Sequence, residues 1–207
     1  MQKSRVWGVE GVSRTKFRFS GFGGQGVITM AHVLGHGGTV NAGMDATMTE
    51  TYGPEKTGGF SRGDVVVSDD TIDYPNVEDP DVVVAFSQDA FERDADSVTR
   101  DGMAVVERDL VHPGTFASDR PDVTVISLPA VELAEELGRK VIANMLTLGA
   151  VVELVGTPPV EAVRSAVRQT VPEGTEELNE RAFDRGRSAV TNDDIDRLGG
   201  NSTEVIQ

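Results

Sequence analysis

The sequence predicts an α/β fold, with a single domain built on a mostly parallel sheet flanked by helices and with a helical C-terminal third. Four short Val-rich runs, each bounded by Asp, Gly or Pro, have the near-continuous apolar character of strands buried on both faces. These runs are 64–69, 81–87, 103–108 and 123–129. A glycine-rich turn follows an alternating segment near the N-terminus, and helical patterns dominate the chain after residue 129.

The elements before and between these runs follow from local patterns. In KFRFS (16–20), Phe17 and Phe19 alternate with polar residues, as in a short strand. The glycine-rich turn comes next, and GVITMAHVLG then carries apolar residues at helical spacing. The segment 46–63 begins like a strand and becomes a long glycine-rich loop. SQDAFERDADSVT (87–99) is a candidate helix between the later strands.

The C-terminal third contains the longest helical pattern, PAVELAEELGRKVIANMLTLGAVVELVG (129–156). Gly138 and Gly149 within it are expected to be close-packing points or breaks. The Thr-Pro pair at 157–158 predicts the N-cap and first-turn proline of a further helix, and Thr175 is expected to cap the last one.

A single domain is expected over 16–190, because the chain shows no internal repeat and no break in composition. Its 207 residues suit one α/β domain of ordinary size. Residues 1–15 are predicted to form an N-terminal extension and residues 191–207 a polar tail.

Composition excludes several kinds of protein. Cysteine is absent, so the chain has no disulfide, no thiolate metal site and no cysteine-ligated iron–sulfur cluster. No apolar run approaches the roughly 18 residues of a membrane span. The basic N-terminal segment lacks the apolar core of a signal peptide. We therefore expect a cytoplasmic protein that does not bind a membrane.

The charge of the chain is strongly negative, since 19 basic residues face 34 acidic ones and the net charge is −15. With no basic stripe to release counterions, the sequence argues against nucleic acid as a partner. The acids are spread over the whole chain. This spread favours a carboxylate-rich surface suited to a halophilic, high-salt cytoplasm over attraction of one cationic partner.

The turn FSGFGGQGV contains the pattern G-x-G-x-x-G at Gly21, Gly23 and Gly26, with Gly24 and Gln25 between them. In dinucleotide-binding units such glycines let a pyrophosphate approach the backbone at a helix N-terminus. The pattern alone is weak, and three interpretations remain open. The turn binds a dinucleotide, it receives a different ligand or a partner's cofactor, or it is a purely structural strand-to-helix turn.

The acidic residue expected about 20 positions after a dinucleotide turn has no good candidate. Asp45 lies at a suitable distance but follows no convincing strand, whereas Glu50 ends a better strand and lies too far along the chain.

Two glycine motifs together are more specific. GFGGQGV (21–27), followed by YGPEKTGGFSRGDVVVSDDTIDYP (52–75), resembles the gamma subunit of the 2-oxoacid:ferredoxin oxidoreductases. The resemblance continues through PDVVVAFSQDAFER and LGRKVIANMLTLGAVVEL and covers about 16–190, which would form the gamma-type catalytic domain. The YGPE, GG and SDDTIDYP segments look more like the 2-oxoglutarate or branched-chain type than the pyruvate type.

The resemblance implies that the two glycine loops bind a cofactor or line a subunit interface, and it implies no catalytic residue and no metal on this chain. The first loop comprises Gly21, Gly23, Gly24, Gln25 and Gly26, and the second comprises Tyr52, Gly53, Pro54, Glu55, Lys56, Gly58 and Gly59. The family usually has an Arg just before the double glycine, where this chain has Lys56 and then Thr57. A lysine there would act as a point charge without the bidentate fork of an arginine.

The same resemblance implies a reaction distributed over several chains. Alpha and beta partner subunits would bind thiamine diphosphate and an iron–sulfur cluster, coenzyme A would be acylated, and electrons would pass to ferredoxin. This chain would be inactive alone. The alternatives are a freestanding dinucleotide-binding oxidoreductase using the glycine turn, and a non-catalytic assembly module of the same fold.

The remaining polar constellations point to ordinary structural roles. His32 and His36 share a helix face but have no third ligand, so a metal is not expected. The acidic cluster at 69–73 lacks the spacing of a calcium loop. Tyr52 is expected to be a turn residue and Glu55 a solvated carboxylate. The alternative is that Tyr52 stacks on a partner or cofactor and that Glu55 acts as a base. Asn144 is expected to be a satisfied buried amide fixing helix contacts.

Overall fold

The computed structural model describes residues 14–55, 58–192 and 194–199. Within them the chain forms a seven-stranded sheet. Its strands are β1 (Arg14–Phe22), β2 (Asp45–Tyr52), β3 (Phe60–Ser68), β4 (Val82–Ala85), β5 (Met103–Glu107), β6 (Thr124–Leu128) and β7 (Asp196–Gly199). The four predicted Val-rich strands are therefore all present.

The strand order is β2-β3-β1-β4-β5-β6-β7. Strands β1, β4, β5 and β6 pair in parallel and form the centre of the sheet, whereas β3 and β7 run antiparallel to their neighbours. The predicted α/β fold with a mostly parallel sheet is confirmed. The antiparallel β3 was not foreseen, because its run of valines is buried on both faces like the runs of its parallel neighbours.

Seven α-helices accompany this sheet in the described residues. They are α1 (Val27–His36), α2 (Gln88–Asp94), α3 (Phe116–Asp119), α4 (Ala130–Glu136), α5 (Ala143–Val155), α6 (Val160–Thr170) and α7 (Glu176–Thr191). Helices α1, α4, α5, α6 and α7 share one large apolar core with the sheet. Helix α2 and the segment around Val111 and Phe116 build a second, smaller apolar cluster.

The predicted long helix at 129–156 is two helices. Gly138 has a φ of 101°, a left-handed conformation that ends α4 and is easy only for glycine. A short 3-10 turn, Lys140–Ile142, then leads into α5. Gly138 is thus the break that the sequence analysis anticipated.

Gly149 is instead a close-packing point, where α5 crosses α7. A Cβ atom at Gly149 would collide with the backbone oxygen of Phe183, and one at Gly186 would collide with the backbone oxygen of Leu146. Each helix therefore presses a glycine against the backbone of the other, which is why the two helices approach so closely.

Two predicted helix starts differ in detail from the structure. The Thr157–Pro158 peptide bond is cis, and α6 begins only at Val160, after Pro159. Thr175 does precede α7, but its hydroxyl donates to the oxygen of Pro172 and caps no helix N–H.

The polar tail predicted for 191–207 contains strand β7, which pairs antiparallel with β6 and covers that edge of the sheet. This strand was not apparent from sequence because its residues are mostly charged or small. In the described part of the chain, no helix is both long and apolar enough to cross a membrane.

Candidate functional site at the two glycine loops

The first glycine loop connects β1 to α1 at the carboxyl end of the central parallel strand. Gly24 and Gly26 have φ values of 95° and 76°, which side chains rarely adopt, so glycine is required at both positions. The oxygen of Gly26 accepts from the N–H of Met30 at 3.0 Å and begins α1. The sequence folds here as a tight turn because no Cβ obstructs it.

Gln25 holds this turn in place through its side chain. Its Oε1 accepts from the backbone N–H of Phe22 at 2.6 Å, and its Nε2 donates to the oxygen of Phe86 at 2.9 Å. The amide thereby ties the turn to the end of β4. A Cβ at Gly21 would lie 2.5 Å from Gln25 Oε1, so a larger residue there would displace the Gln25 amide from these bonds.

The second glycine loop joins β2 to β3. The N–H of Gly53 donates to the oxygen of Phe60 at 2.7 Å and closes the loop. The Glu55 carboxylate folds back over it, since a Cβ at Gly53 or Gly59 would collide with Glu55 Oε2. Lys56 and Thr57 lie outside the described residues.

The two loops meet through their backbones. The N–H of Gly23 donates to the oxygen of Gly59 at 2.8 Å, and a Cβ at Gly23 would lie 3.3 Å from Gly58 Cα. Gly58, with a φ of 69°, is again in the left-handed region. The structure thus brings together the two motifs that the sequence analysis singled out, with Tyr52 and Pro54 exposed beside them.

A cleft of about 470 Å³ opens beside the first loop. The first turn of α5 and the connection between α6 and α7 form its other walls. Its lining is mainly apolar, and among the described residues that form it Arg139 is the only charged one. The lining residues are Phe22, Gly23, Gly24, Gly26, Val27, Ile28, Thr29, Tyr52, Ser61, Arg139, Val141, Ile142, Asn144, Met145, Val171, Pro172, Thr175, Leu178 and Asn179.

Asn144 differs from its expected role as a satisfied buried amide. It lies in the first turn of α5, is only half-buried, and its Oδ1 accepts from the N–H of Met145 at 2.8 Å. Its Nδ2 presses against Gly26, where a Cβ would collide with it. Asn144 therefore packs the start of α5 against the glycine turn and lines the cleft.

Beneath the loops lies a buried group of charges. The Arg18 guanidinium binds both oxygens of Asp64, at 2.9 and 3.1 Å, and donates to Ser97 Oγ at 3.0 Å. Asp94 accepts from Ser20 Oγ at 2.5 Å and from Arg62 at 3.4 Å. Ser20 immediately precedes Gly21. This ionic cluster (Arg18, Ser20, Arg62, Asp64 and Asp94) therefore connects the strands from which both loops emerge.

The geometry does not support a dinucleotide site. Strand β2 pairs only with β3 and stands at the sheet edge, so β1 and β2 do not form the adjacent parallel strands of a dinucleotide-binding unit. Asp45 Oδ2 accepts from the N–H of Ile72 at 2.8 Å, and Glu50 accepts from the Tyr52 hydroxyl at 2.5 Å. Both candidate ribose ligands are therefore engaged elsewhere.

The Tyr52 hydroxyl donates to the Glu50 carboxylate, and this hydrogen bond raises the pKa of the hydroxyl above its ordinary value. His36 Nε2 bonds Gln169 at 2.8 Å, and His32 lies 6.3 Å from His36 between ring centroids. Within the described residues no group of three or more His, Cys, Asp or Glu is placed to hold a metal.

Most of the cleft lining was not predicted from the sequence, and Phe22, Arg139 and Val141 are examples. Phe22 and Arg139 sit inside the motifs GFGGQGV and LGRK, but nothing in those motifs shows that the two side chains face one cleft. Exposure of large apolar side chains distinguishes Phe22 and Val141, and only the fold reveals it.

These loops and this sheet define a class of oxidoreductase subunit. The sequence matches the family described as pyruvate ferredoxin/flavodoxin oxidoreductase over residues 16–189, and the chain belongs to that family. Within it, the chain is similar to the 2-oxoglutarate synthase subunit KorC of Methanothermobacter marburgensis, with 40% identity over 181 residues. That alignment covers 86% of this chain and 97% of the relative.

Solved structures agree with this placement. A keto/oxoacid ferredoxin oxidoreductase gamma subunit from Geobacter sulfurreducens PCA matches with a TM-score of 0.73 and 30% identity, over 86% of this chain and 99% of that one. The predicted resemblance to gamma subunits is confirmed. The 2-oxoglutarate:ferredoxin oxidoreductase of Magnetococcus marinus, solved with 2-oxoglutarate, coenzyme A and succinyl-CoA bound, shares the fold. Its TM-score is 0.76 at 22% identity, over 86% of this chain and 31% of that chain.

Proposed function

We propose that this chain is the gamma subunit of a 2-oxoglutarate:ferredoxin oxidoreductase. The complex would catalyse the coenzyme A-dependent oxidative decarboxylation of 2-oxoglutarate and pass the electrons to ferredoxin. The observation that carries the proposal is the 40% identity to a 2-oxoglutarate synthase subunit over 97% of that subunit's length. The joined glycine loops support it, because they are the most specific motifs of the resemblance.

The cofactors of the reaction would reside on alpha and beta partner subunits. A chain without cysteine has no thiolate to hold an iron–sulfur cluster. Two backbone donors that could have cradled a phosphate are used internally, since the N–H groups of Gly23 and Gln25 bond Gly59 and Phe22. This use of two donors argues against a pyrophosphate held by the whole turn.

The contribution of this chain would be to complete the assembly. Its glycine loops lie at the carboxyl end of the parallel strands, the edge at which open α/β sheets usually present ligands. We expect this edge to face the partner subunits beside the thiamine diphosphate. Coenzyme A would bind to the assembled complex.

The proposal is tested by co-producing the tagged chain with the alpha and beta subunits of the same organism and purifying the product in molar salt. We expect a complex that reduces ferredoxin with 2-oxoglutarate only when coenzyme A is present. Pyruvate and a branched-chain 2-oxoacid serve as substrate controls. Preference for either of them would contradict the assignment of the substrate.

A matched preparation without this chain separates the proposed role from that of a non-catalytic module. If the alpha and beta subunits alone kept full activity, the chain would be an assembly module. If the chain emerged alone and bound NAD or a flavin tightly, the freestanding oxidoreductase would replace the proposal.

A further inference from the structure

The surface around the cleft differs from the rest of the molecule in its polarity. Among the described residues, seven large hydrophobic side chains are exposed, and three of them line this one cleft. These are Phe22, Tyr52 and Val141, with 36%, 61% and 67% of their surfaces exposed. They come from the ends of β1 and β2 and from the turn before α5. Their convergence forms a contiguous apolar patch, the kind of surface that marks an interaction site.

The charge of the cleft differs as well. None of its 19 lining residues is Asp or Glu, although 34 of the 207 residues in the chain are acidic. Among the described residues that line the cleft, Arg139 is the single charged group, and its side chain makes no hydrogen bond or ion pair with another described residue. The neighbouring Lys140 is paired with Glu135 at 2.8 Å. The described lining of the cleft therefore contains no carboxylate, and Arg139 is available to pair with an anionic group.

We propose that this cleft receives a segment of the alpha or beta subunit that presents an apolar side chain with a carboxylate beside it. The apolar group would lie between Phe22 and Val141, and the carboxylate would pair with Arg139. An acidic partner segment meets no like charge among the lining residues, whereas much of the remaining surface would repel it. This inference rests on the proposed function, because the docking segment would belong to the partner subunits of that complex.

The lining supports a protein segment as the occupant. Exposed aromatic and aliphatic groups grouped around a pocket are typical anchors at protein interfaces, and an arginine among them is a frequent contributor. Asn144 seats the glycine turn on α5. The wall of the cleft is therefore pre-formed, which lowers the cost of ordering it on binding.

The experiment compares variants of this chain in the three-subunit co-production. Val141→Asp and Arg139→Glu each alter an exposed side chain, so both variants should fold. We expect each to reduce recovery of the alpha and beta subunits by about tenfold or more, as loss of an interface anchor does. Arg139→Lys keeps the charge and should retain most of the recovery.

Val40→Asp is the matched control. Val40 is 64% exposed, nearly the same as Val141, and it does not line the cleft. We expect this variant to assemble like the wild type. Equal losses in Val40→Asp and Val141→Asp would overturn the docking site, because the effect would then not belong to the cleft.

Other outcomes separate this proposal from its alternatives. If the cleft variants assembled normally but showed a raised KM for coenzyme A, the cleft would bind a small molecule and the docking proposal would be wrong. If the wild type self-associated through Val141, the occupant would be a second copy, which also overturns it. If the wild type recovered neither subunit, the proposed function would fail, and the docking proposal would fall with it.

Discussion

The face of the sheet that meets α2 is divided into two halves of opposite chemistry. Under β4, β5 and β6 it is apolar, with side chains such as Val83, Val106 and Val125 packed against the region of Phe91. Under β1 and β3 the corresponding positions belong to the ionic cluster. The apolar half is buried, and so is the charged half except for the partly exposed Arg62. The charged half carries two arginines and two aspartates, whose charges balance.

The two halves differ in how strictly they fix the positions of the groups they contain. Apolar packing tolerates small shifts, whereas a bidentate arginine–carboxylate pair fixes both partners in distance and angle. The ionic half adjoins both glycine loops, since Ser20 directly precedes Gly21 of the first loop and Arg62 lies three residues after Gly59, the last residue of the second loop. We infer that the charges set the relative position of the two loops, while the apolar half supplies stability without such precision.

Removing one charge from the ionic half should have the largest effect. Asp64→Ala would leave the Arg18 guanidinium buried without its bidentate partner, and we expect the free energy of unfolding to fall by about 3–5 kcal/mol. Chemical denaturation at neutral pH measures this loss. Replacing the pair by Arg18→Met with Asp64→Leu should recover much of the stability. If the double variant were as unstable as Asp64→Ala, the loss of stability would come from removing the ion pair and not from leaving Arg18 buried without a partner.

The apolar half should respond less strongly to a single truncation. Val125 is fully buried, and Val125→Ala should lower the free energy of unfolding by about 2 kcal/mol, from roughly 0.8 kcal/mol per lost methyl group plus a cavity cost. The same denaturation experiment measures it. A loss as large as that of Asp64→Ala would contradict the contrast between the halves.

Removing the hydroxyl of Ser20, the neutral member of the ionic cluster, should lower the free energy of unfolding by less again. Ser20→Ala removes the hydrogen bond to Asp94 but leaves the Arg62 contact, so a loss of about 1–2 kcal/mol is expected. Thr147→Val is a useful control, because it removes a buried hydroxyl that has no hydrogen-bond partner in the described structure and keeps the shape of the side chain. If both variants lost the same stability, the Ser20–Asp94 bond would contribute nothing specific.

The smallest effect is expected at Asp81, a carboxylate that forms no ion pair in the described structure. Burial raises its pKa, while the N–H of Lys16 still donates to it at 2.8 Å. Because the folded state favours the protonated form, the wild type should lose stability as the pH rises above the ordinary carboxyl range. Asp81→Asn should remove that slope and change stability at neutral pH by less than about 1 kcal/mol.

Asp122 provides the opposite slope as a control. Its hydrogen bond from Arg120 lowers its pKa, so its contribution is present above the ordinary carboxyl range and is lost as the pH falls through the lowered value. Thermal unfolding of Asp81→Asn and Asp122→Asn across pH 3–7, a range of about four units around the ordinary carboxyl pKa, should show slopes that change in opposite directions. Slopes that changed together would contradict the assignment of burial as the cause at Asp81.

Much of the fold was predictable because its signals are local. The Val-rich runs predicted the positions of β3 to β6, the segment 87–99 predicted α2, and Gly138 was one of two expected packing points or breaks in the long helical pattern. Strand direction was not predictable for β3. A valine run buried on both faces is the same in either direction, and the choice depends on which neighbours it meets.

The candidate site was predictable only in part. The glycine motifs identified both loops, but their contact joins Gly23 to Gly59 across residues that are distant in sequence. Arg18 illustrates the same limit, because alternation in KFRFS suggests a solvated side chain. Its partner Asp64 lies on another strand, and only the assembled sheet shows that the charge is buried. Contacts between residues that are distant in sequence cannot be recognised from local composition.

The reciprocal glycine contact between α5 and α7 has a practical consequence for splitting the chain. A fragment ending before Glu176 would expose the side of α5 that Gly149 and Leu146 present to the last helix. Because α7 also contributes the fully buried Phe183 to the main core, that fragment should not fold by itself. A synthetic peptide spanning α7 should restore the fold when mixed with it, provided that the peptide keeps glycine at position 186. Recovery of the folded signal would then report that the crossing of the two helices has formed.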